Sequence, residues 1–260
     1  MRIATYNVNG IRAAQKKGLA DWAAAAELDV LCIQETKAEA EQVDTADFTA
    51  AGFVHQHWHS CRRKRGYSGV MTMSRRAPER VGSDIGMEDY DCEGRILRTD
   101  FGELTILNCY FPNGGQGDER QDFKYRFLDD FLAHVKELRR SRPNVLVLGD
   151  YNIAHTATDL HAPKRNENTT GFLPAERAWM TRWFAESGTV DAYRHLHPTT
   201  TDVYSWWSYR ANARNNNKGW RIDYHSLNHE WADRIRSVTH LPDVRHSDHC
   251  PIILDLDYAP

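Results

Sequence analysis

Val145, Leu146, Val147 and Leu148 form an unbroken apolar run that stops at Gly149 and hands over to Asp150 and Asn152. A short apolar run bounded by turn residues reads as a buried strand. Side chains two apart on an extended strand share a face, so Asp150 and Asn152 can reach one pocket. A solvated Gly-Asp turn would explain the pair equally well. The recurrence of the pattern decides between them. Residues 2–6 read as a strand delivering Asn7 and Asn9, and 30–34 as one delivering Glu35. Residues 103–110 deliver Asn108 and Tyr110, 221–227 carry Asp223, and 252–256 follow Ser247, Asp248 and His249.

Helical spacing lies between these runs. It is expected over 19–28, over 127–138 (Phe127, Leu128, Phe131, Leu132, Val135, Leu138), and from Pro174 to 185. Residues 70–73 are a weaker strand, and 95–100 with 103–110 form a hairpin around Phe101-Gly102. Residues 162–171 are polar and turn-rich, which suits a surface loop. Residues 199–219 are long, irregular and aromatic, which suits a functional loop. Strands in both halves with helices between them predict one α/β domain over 1–260, built of two packed sheets.

Composition narrows the partners. The net charge is −3 and the pI about 6.5, whereas a nucleic-acid-binding domain often exceeds a pI of about 9. Distribution matters more than the sum. Arg62, Arg63, Lys64 and Arg65 form one basic run, with Arg75 and Arg76 beyond it. Arg210, Arg214, Lys218 and Arg221 form a second, interleaved with Trp206, Trp207, Tyr209 and Trp220. Cations alternating with large aromatics suit phosphates beside stacked bases or sugars. No apolar run has membrane-spanning length and no apolar leader opens the chain, so a cytoplasmic protein is expected. Five cysteines (Cys32, Cys61, Cys92, Cys109, Cys250) without metal-type spacing read as reduced.

The strand ends carry four carboxylates (Glu35, Asp150, Asp223, Asp248), two carboxamides (Asn7, Asn152), the Tyr110 phenol and the His249 imidazole. Gathering that many acids costs several kcal/mol unless a cation relieves it. Oxygen ligands without a cysteine or histidine set point to magnesium or manganese rather than zinc. Glu35 and Asp248 are the ligand candidates, with Asn7 in support. Hydrolysis of a phosphodiester then needs a base, a positioned water and charge at the phosphate. Asp150 can take the water's proton while Asn152 holds the water. His249 can donate to phosphate, with Asp223 fixing its ring, and Tyr110 can donate or share the proton work.

Seven motifs, TYNVNGIR, IQETK, GYSGV, YFPNG, GDYNIAH, WRIDY and SDHCPI, occur in that order along essentially the whole chain. They resemble those of the exonuclease III family of apurinic/apyrimidinic (AP) endonucleases. The resemblance implies a four-layered α/β sandwich of deoxyribonuclease I type. It implies magnesium-dependent incision 5′ to an abasic site in double-stranded DNA, within base excision repair, with manganese able to substitute. It also implies trimming of blocked 3′ ends and 3′→5′ exonuclease activity. Nothing in the sequence suggests more than a monomer. The metal-associated set becomes Asn7, Glu35, Asp150, Asn152, Asp248 and His249. Asn113 resembles a phosphate contact, and Arg12, Tyr67 and Lys37 resemble positions near the DNA or the metal network. Trp206, Trp220 and Ile222 resemble the walls that accept a flipped-out abasic sugar. Arg210 and Gln116 stand where relatives vary and where a side chain can enter the duplex. Trp206 is bulkier than the usual phenylalanine, and His225 replaces a usual apolar residue. A phosphoesterase acting on a small phosphorylated substrate is the alternative that the acidic net charge favours.

Overall fold

Residues 145–148 are buried on both faces because their strand lies inside a sheet that is covered on each side. The computed structural model describes residues 1–260. In chain order its strands are β1 (Arg2–Asn7), β2 (Val30–Gln34), β3 (His55–His59), β4 (Val70–Ser74), β5 (Arg80–Gly82), β6 (Ile96–Phe101), β7 (Leu104–Tyr110), β8 (Asn144–Asp150), β9 (Thr189–Asp191), β10 (Asp223–Asn228), β11 (Ile235–His240) and β12 (Ile252–Leu256). They make two six-stranded sheets, ordered β11-β12-β1-β2-β4-β3 and β5-β6-β7-β8-β10-β9.

Strand periodicity sorts the side chains into layers. Ile3, Val30, Cys32 and Leu254 of the first sheet meet Leu104, Ile106, Leu146, Leu148 and Leu227 of the second in a core between the sheets. The intervening residues Ala4, Tyr6, Leu31, Ile33, Met71 and Met73 point outward onto Leu19, Ala23, Phe48 and Phe53. Leu107, Cys109, Val145 and Val147 point outward onto Phe127, Phe131, Val135, Trp179 and Trp183 of the helices Asp118–Ser141 and Pro174–Ser187. The result is helix, sheet, sheet, helix: the expected sandwich. Each large apolar side chain buried this way contributes roughly 1.5–3 kcal/mol. All five cysteines are free and buried.

Strand direction places the functional groups on one rim. β1 and β2 run parallel and end at Asn7 and just before Glu35. β7 and β8 run parallel, with Tyr110 opposite Asp150. β10 and β12 run antiparallel to β8 and β1, so they deliver groups at their beginnings: Asp223 opposite Asp150, and Asp248–His249 just before Ile252. Gly149 permits the close approach of β8 to β7. It adopts φ +131°, and a Cβ there would fall 1.9 Å from the Cys109 carbonyl oxygen.

Several elements differ from expectation. The long helix begins at Asp118, because Phe123 and Lys124 extend its buried stripe into a polar first half. Residues 162–171 include a short helix, Pro163–Asn166. Arg221 and Ile222 precede β10 rather than lying in it. β3, β5, β9 and β11 have no apolar run to announce them, and each lies at the edge of its sheet.

Candidate active site

At the shared rim the side chains interlock. Asn7 is fully buried and its amide donates to Glu35 Oε1 at 2.8 Å and to Asp150 Oδ2 at 2.9 Å. Asp150 Oδ1 accepts the Asn152 backbone N–H at 2.8 Å. The Asn152 side chain donates to the Phe111 carbonyl at 2.9 Å and accepts from Asn113 Nδ2 at 2.9 Å. His249 Nδ1 donates to Asp223 Oδ2 at 2.9 Å, and its Nε2 lies 3.9 Å from Asp150 Oδ2. Lys37 Nζ is 2.7 Å from Glu35 Oε2. Asn9, Glu35, Lys37 and Asn152 all hold left-handed φ between 48° and 53°. Such strain persists only where the surroundings over-determine it, as they do at functional sites.

A cavity of about 420 Å³ opens onto this cluster. Glu35, Tyr110, Asn113, Asp150, Asn152, Asp248 and His249 line one side, and Trp206, Trp220 and Ile222 the other. Trp206 and Trp220 meet edge to face at 6.4 Å. Gly171 closes the floor beside them, where a Cβ would come within 3.2 Å of the Trp220 ring. Oxygens of Glu35 and Asp150 and a ring nitrogen of His249 lie within 4.8 Å of one another. Asp248 sits on the same wall, with its carboxylate engaged by Asn9, Ser247 and Trp206. Asp223 is buried behind the histidine.

The electrostatics separate these groups. Burial pushes the Asp150 carboxyl up to about 7, with the charges of Asp223 and Glu35 adding to the rise against the pull of His249. Burial would lower His249, but the charge and hydrogen bond of Asp223, with Asp150 and Asp248, carry it up to about 10. Burial raises Asp248 as well, yet the charge of His249 and the hydrogen bonds from Asn9, Trp206 and Ser247 hold it below the ordinary carboxylate value. Tyr110 is pushed well above its ordinary value by burial and by Glu35, so it is a phenol at neutral pH.

The other expected residues lie outside the cavity. Arg12, Arg210 and Gln116 are exposed. Tyr67 accepts hydrogen bonds from Arg95 and Arg120 at 3.0 and 2.9 Å. His225 is buried between the sheets opposite Leu148, away from the pocket walls. The second basic run is largely structural, contrary to expectation. Arg221 is 1% exposed and bonds Asp159 and Asp191 at 2.9 and 2.7 Å. Arg214 donates to the carbonyls of Pro242, Val244, Ser247 and His249. Arg210 and Lys218 are its exposed cations. In the first run, Arg62 and Arg63 pair with Glu88 and Asp89.

Two buried cations whose role the sequence pattern does not announce stand behind the site. Arg95 donates to the Tyr110 carbonyl at 2.9 Å and stacks 4.9 Å from its ring centroid. Lys124 donates to the Asn152 carbonyl at 2.9 Å and pairs with Glu176, which also accepts from the backbone of Gly171 and Leu173. A signal existed for Lys124: it lies on the helical stripe that continues through Phe127 and Phe131.

Clustered hard oxygens beside an imidazolium, at the rim of this sandwich, define a metal-assisted hydrolase of phosphate esters. The chain belongs to the endonuclease/exonuclease/phosphatase family, which it matches over residues 4–249. It is 38% identical over 255 residues to an exodeoxyribonuclease of Bacillus subtilis (strain 168), covering 98% of each chain. It is 38% identical over 257 residues to the DNA repair nuclease APEX1 of Danio rerio, covering 98% of this chain and 82% of that one. Its structure is similar to that of an AP endonuclease from Leishmania major, with a TM-score of 0.88 and 29% identity, over 99% of this chain and 88% of that one. The chain is a nuclease of this family. None of its helices is long and apolar enough to cross a membrane.

Proposed function

We propose that this chain hydrolyses the phosphodiester 5′ to an abasic site in duplex DNA, leaving a 3′-hydroxyl and a 5′-deoxyribose phosphate. It also trims blocked 3′ ends and degrades DNA 3′→5′. The observation that carries this is the cavity itself, in which the acid cluster faces an apolar slot of Trp206, Trp220 and Ile222. A bare sugar can enter such a slot, while a nucleotide must bring its base.

The donor set fits Mg²⁺, with Mn²⁺ as a substitute, because Glu35 and Asp150 offer hard oxygens with Asn7, Asn152 and Asp248 around them. Bound there, the ion supplies charge for the phosphate oxygens and the leaving alkoxide. Asp150 accepts the proton of the attacking water, which the Asn152 amide orients. His249, as an imidazolium, has N–H on both nitrogens and no lone pair for a metal, so it donates to a phosphate oxygen while Asp223 holds its ring. Tyr110 donates as a phenol. The Asn113 amide contacts phosphate, and Arg12, Tyr67 and Arg210 flank the duplex. All these groups come from one chain, so the working unit is a monomer.

The test is a duplex carrying one tetrahydrofuran abasic analogue, incubated with Mg²⁺. Incision 5′ to the analogue, abolished by chelation, is expected. Degradation from the 3′ end without internal incision would leave an exonuclease alone.

A further inference from the structure

Trp206 is bonded as well as packed. Its indole N–H donates to Asp248 Oδ2 at 3.0 Å, while Asn9 Nδ2 and Ser247 Oγ donate to Oδ1 at 3.0 and 3.1 Å. Asn9 Oδ1 accepts from Lys37 Nζ at 2.5 Å, and the same ammonium lies 2.7 Å from Glu35 Oε2. An unbroken chain of donors and acceptors thus runs from the apolar wall to Glu35. It is charge-assisted at both carboxylates, where such bonds are strongest.

The backbone reinforces the link. Trp207 N–H donates to the Asp248 carbonyl at 3.0 Å, and Trp206 bridges to both His249 and Trp220. The wall and the Asp248–His249 turn are therefore tied through main chain and side chain alike. A phenyl ring at this position would keep the wall apolar and leave Asp248 Oδ2 without its indole donor.

We propose that Trp206 is a positioning residue that couples the sugar pocket to the cation site. A sugar seated against the indole fixes Asp248 and, through Asn9 and Lys37, Glu35. Pocket occupancy and cation binding then tighten one another. The coupling rests on the nuclease function proposed above, and because coupling between two binding sites is reciprocal it is measurable from either side.

The experiment measures Mn²⁺ affinity of the full chain by electron paramagnetic resonance. It is done alone and with a tetrahydrofuran duplex whose 5′ linkage is a non-hydrolysable bridging methylene phosphonate. Duplex affinity in EDTA and in Mn²⁺ gives the converse. In the wild type each ligand tightens the other by about fivefold or more. Trp206→Phe loses most of the coupling, read within the variant as the ratio of its duplex affinity in Mn²⁺ to that in EDTA, so that a change in the pocket itself cancels. Asn9→Gly suits the φ of 48° at that position, removes the amide, and loses the coupling too. Coupling that survives in either folded variant overturns the inference. So does a wild type that prefers abasic over intact duplex yet shows no coupling. A wild type with no such preference overturns instead the abasic-site function beneath it.

Discussion

Asp223 and Asp150 face each other in register across β10 and β8, and the His249 ring spans them, 2.9 Å from the first and 3.9 Å from the second. One imidazolium thereby sits between two neighbouring acids. Asp223 keeps the ring charged, and Asp150 is left with a carboxyl raised to about 7. Divergent titration of adjacent groups is how one site holds an acid and a base together.

Asp223→Asn keeps the shape of that pair and removes its charge. Burial then dominates at His249, and its titration falls from about 10. The alkaline limb of kcat/KM, where His249 loses its proton, should move to lower pH. Turnover at neutral pH should fall on the order of 10²-fold. A pH profile on the abasic duplex checks both, and an unmoved limb would assign it to another group.

His249→Ala and Asp150→Asn remove the phosphate donor and the base. Each should cost on the order of 10²-fold or more in single-turnover rate. Duplex affinity measured in EDTA should change little. Near-normal turnover in either variant would reject the assigned role.

His225 links stability to acid. Burial lowers its titration from 6.5 to about 3, with only the Ile3 backbone opposing the drop. The unfolded chain takes up this proton below 6.5 while the folded chain refuses it until about 3. Stability from this group is therefore complete above 6.5 and is lost as pH falls toward 3. His225→Leu should narrow the stability gap between pH 7 and pH 5 by about 2 kcal/mol. Urea unfolding at the two pH values measures the gap, and an unchanged gap would place the acid sensitivity elsewhere.

Duplex binding should weaken steeply with salt, because neutralised phosphates release counterions. Arg210→Ala should flatten the slope of log affinity against log salt, since Arg210 is one of two exposed cations of its loop. Arg221→Ala should instead destabilise the fold by about 3–5 kcal/mol, because it leaves buried Asp191 without its cation and Asp159 with Arg194 alone. An affinity indifferent to salt would point away from DNA.

The amino-acid sequence by itself determined the strands that reach the site. Their apolar runs stop abruptly at Asn7, Glu35, Tyr110 and Asp150, and periodicity and turn residues are local properties of the chain. It also named Asp248 and His249, because a polar triplet stood directly before an apolar strand. The tertiary structure alone decided which cations were free. Arg214 and Arg221 read like DNA contacts, yet one staples backbone carbonyls and the other is sealed between two aspartates, since their partners lie far away in sequence. It alone revealed Arg95 and Lys124 behind the site, and the bond from Trp206 to Asp248. A residue's type fixes what it can donate or accept, but only the packing of distant strands decides which partner stands within three ångströms.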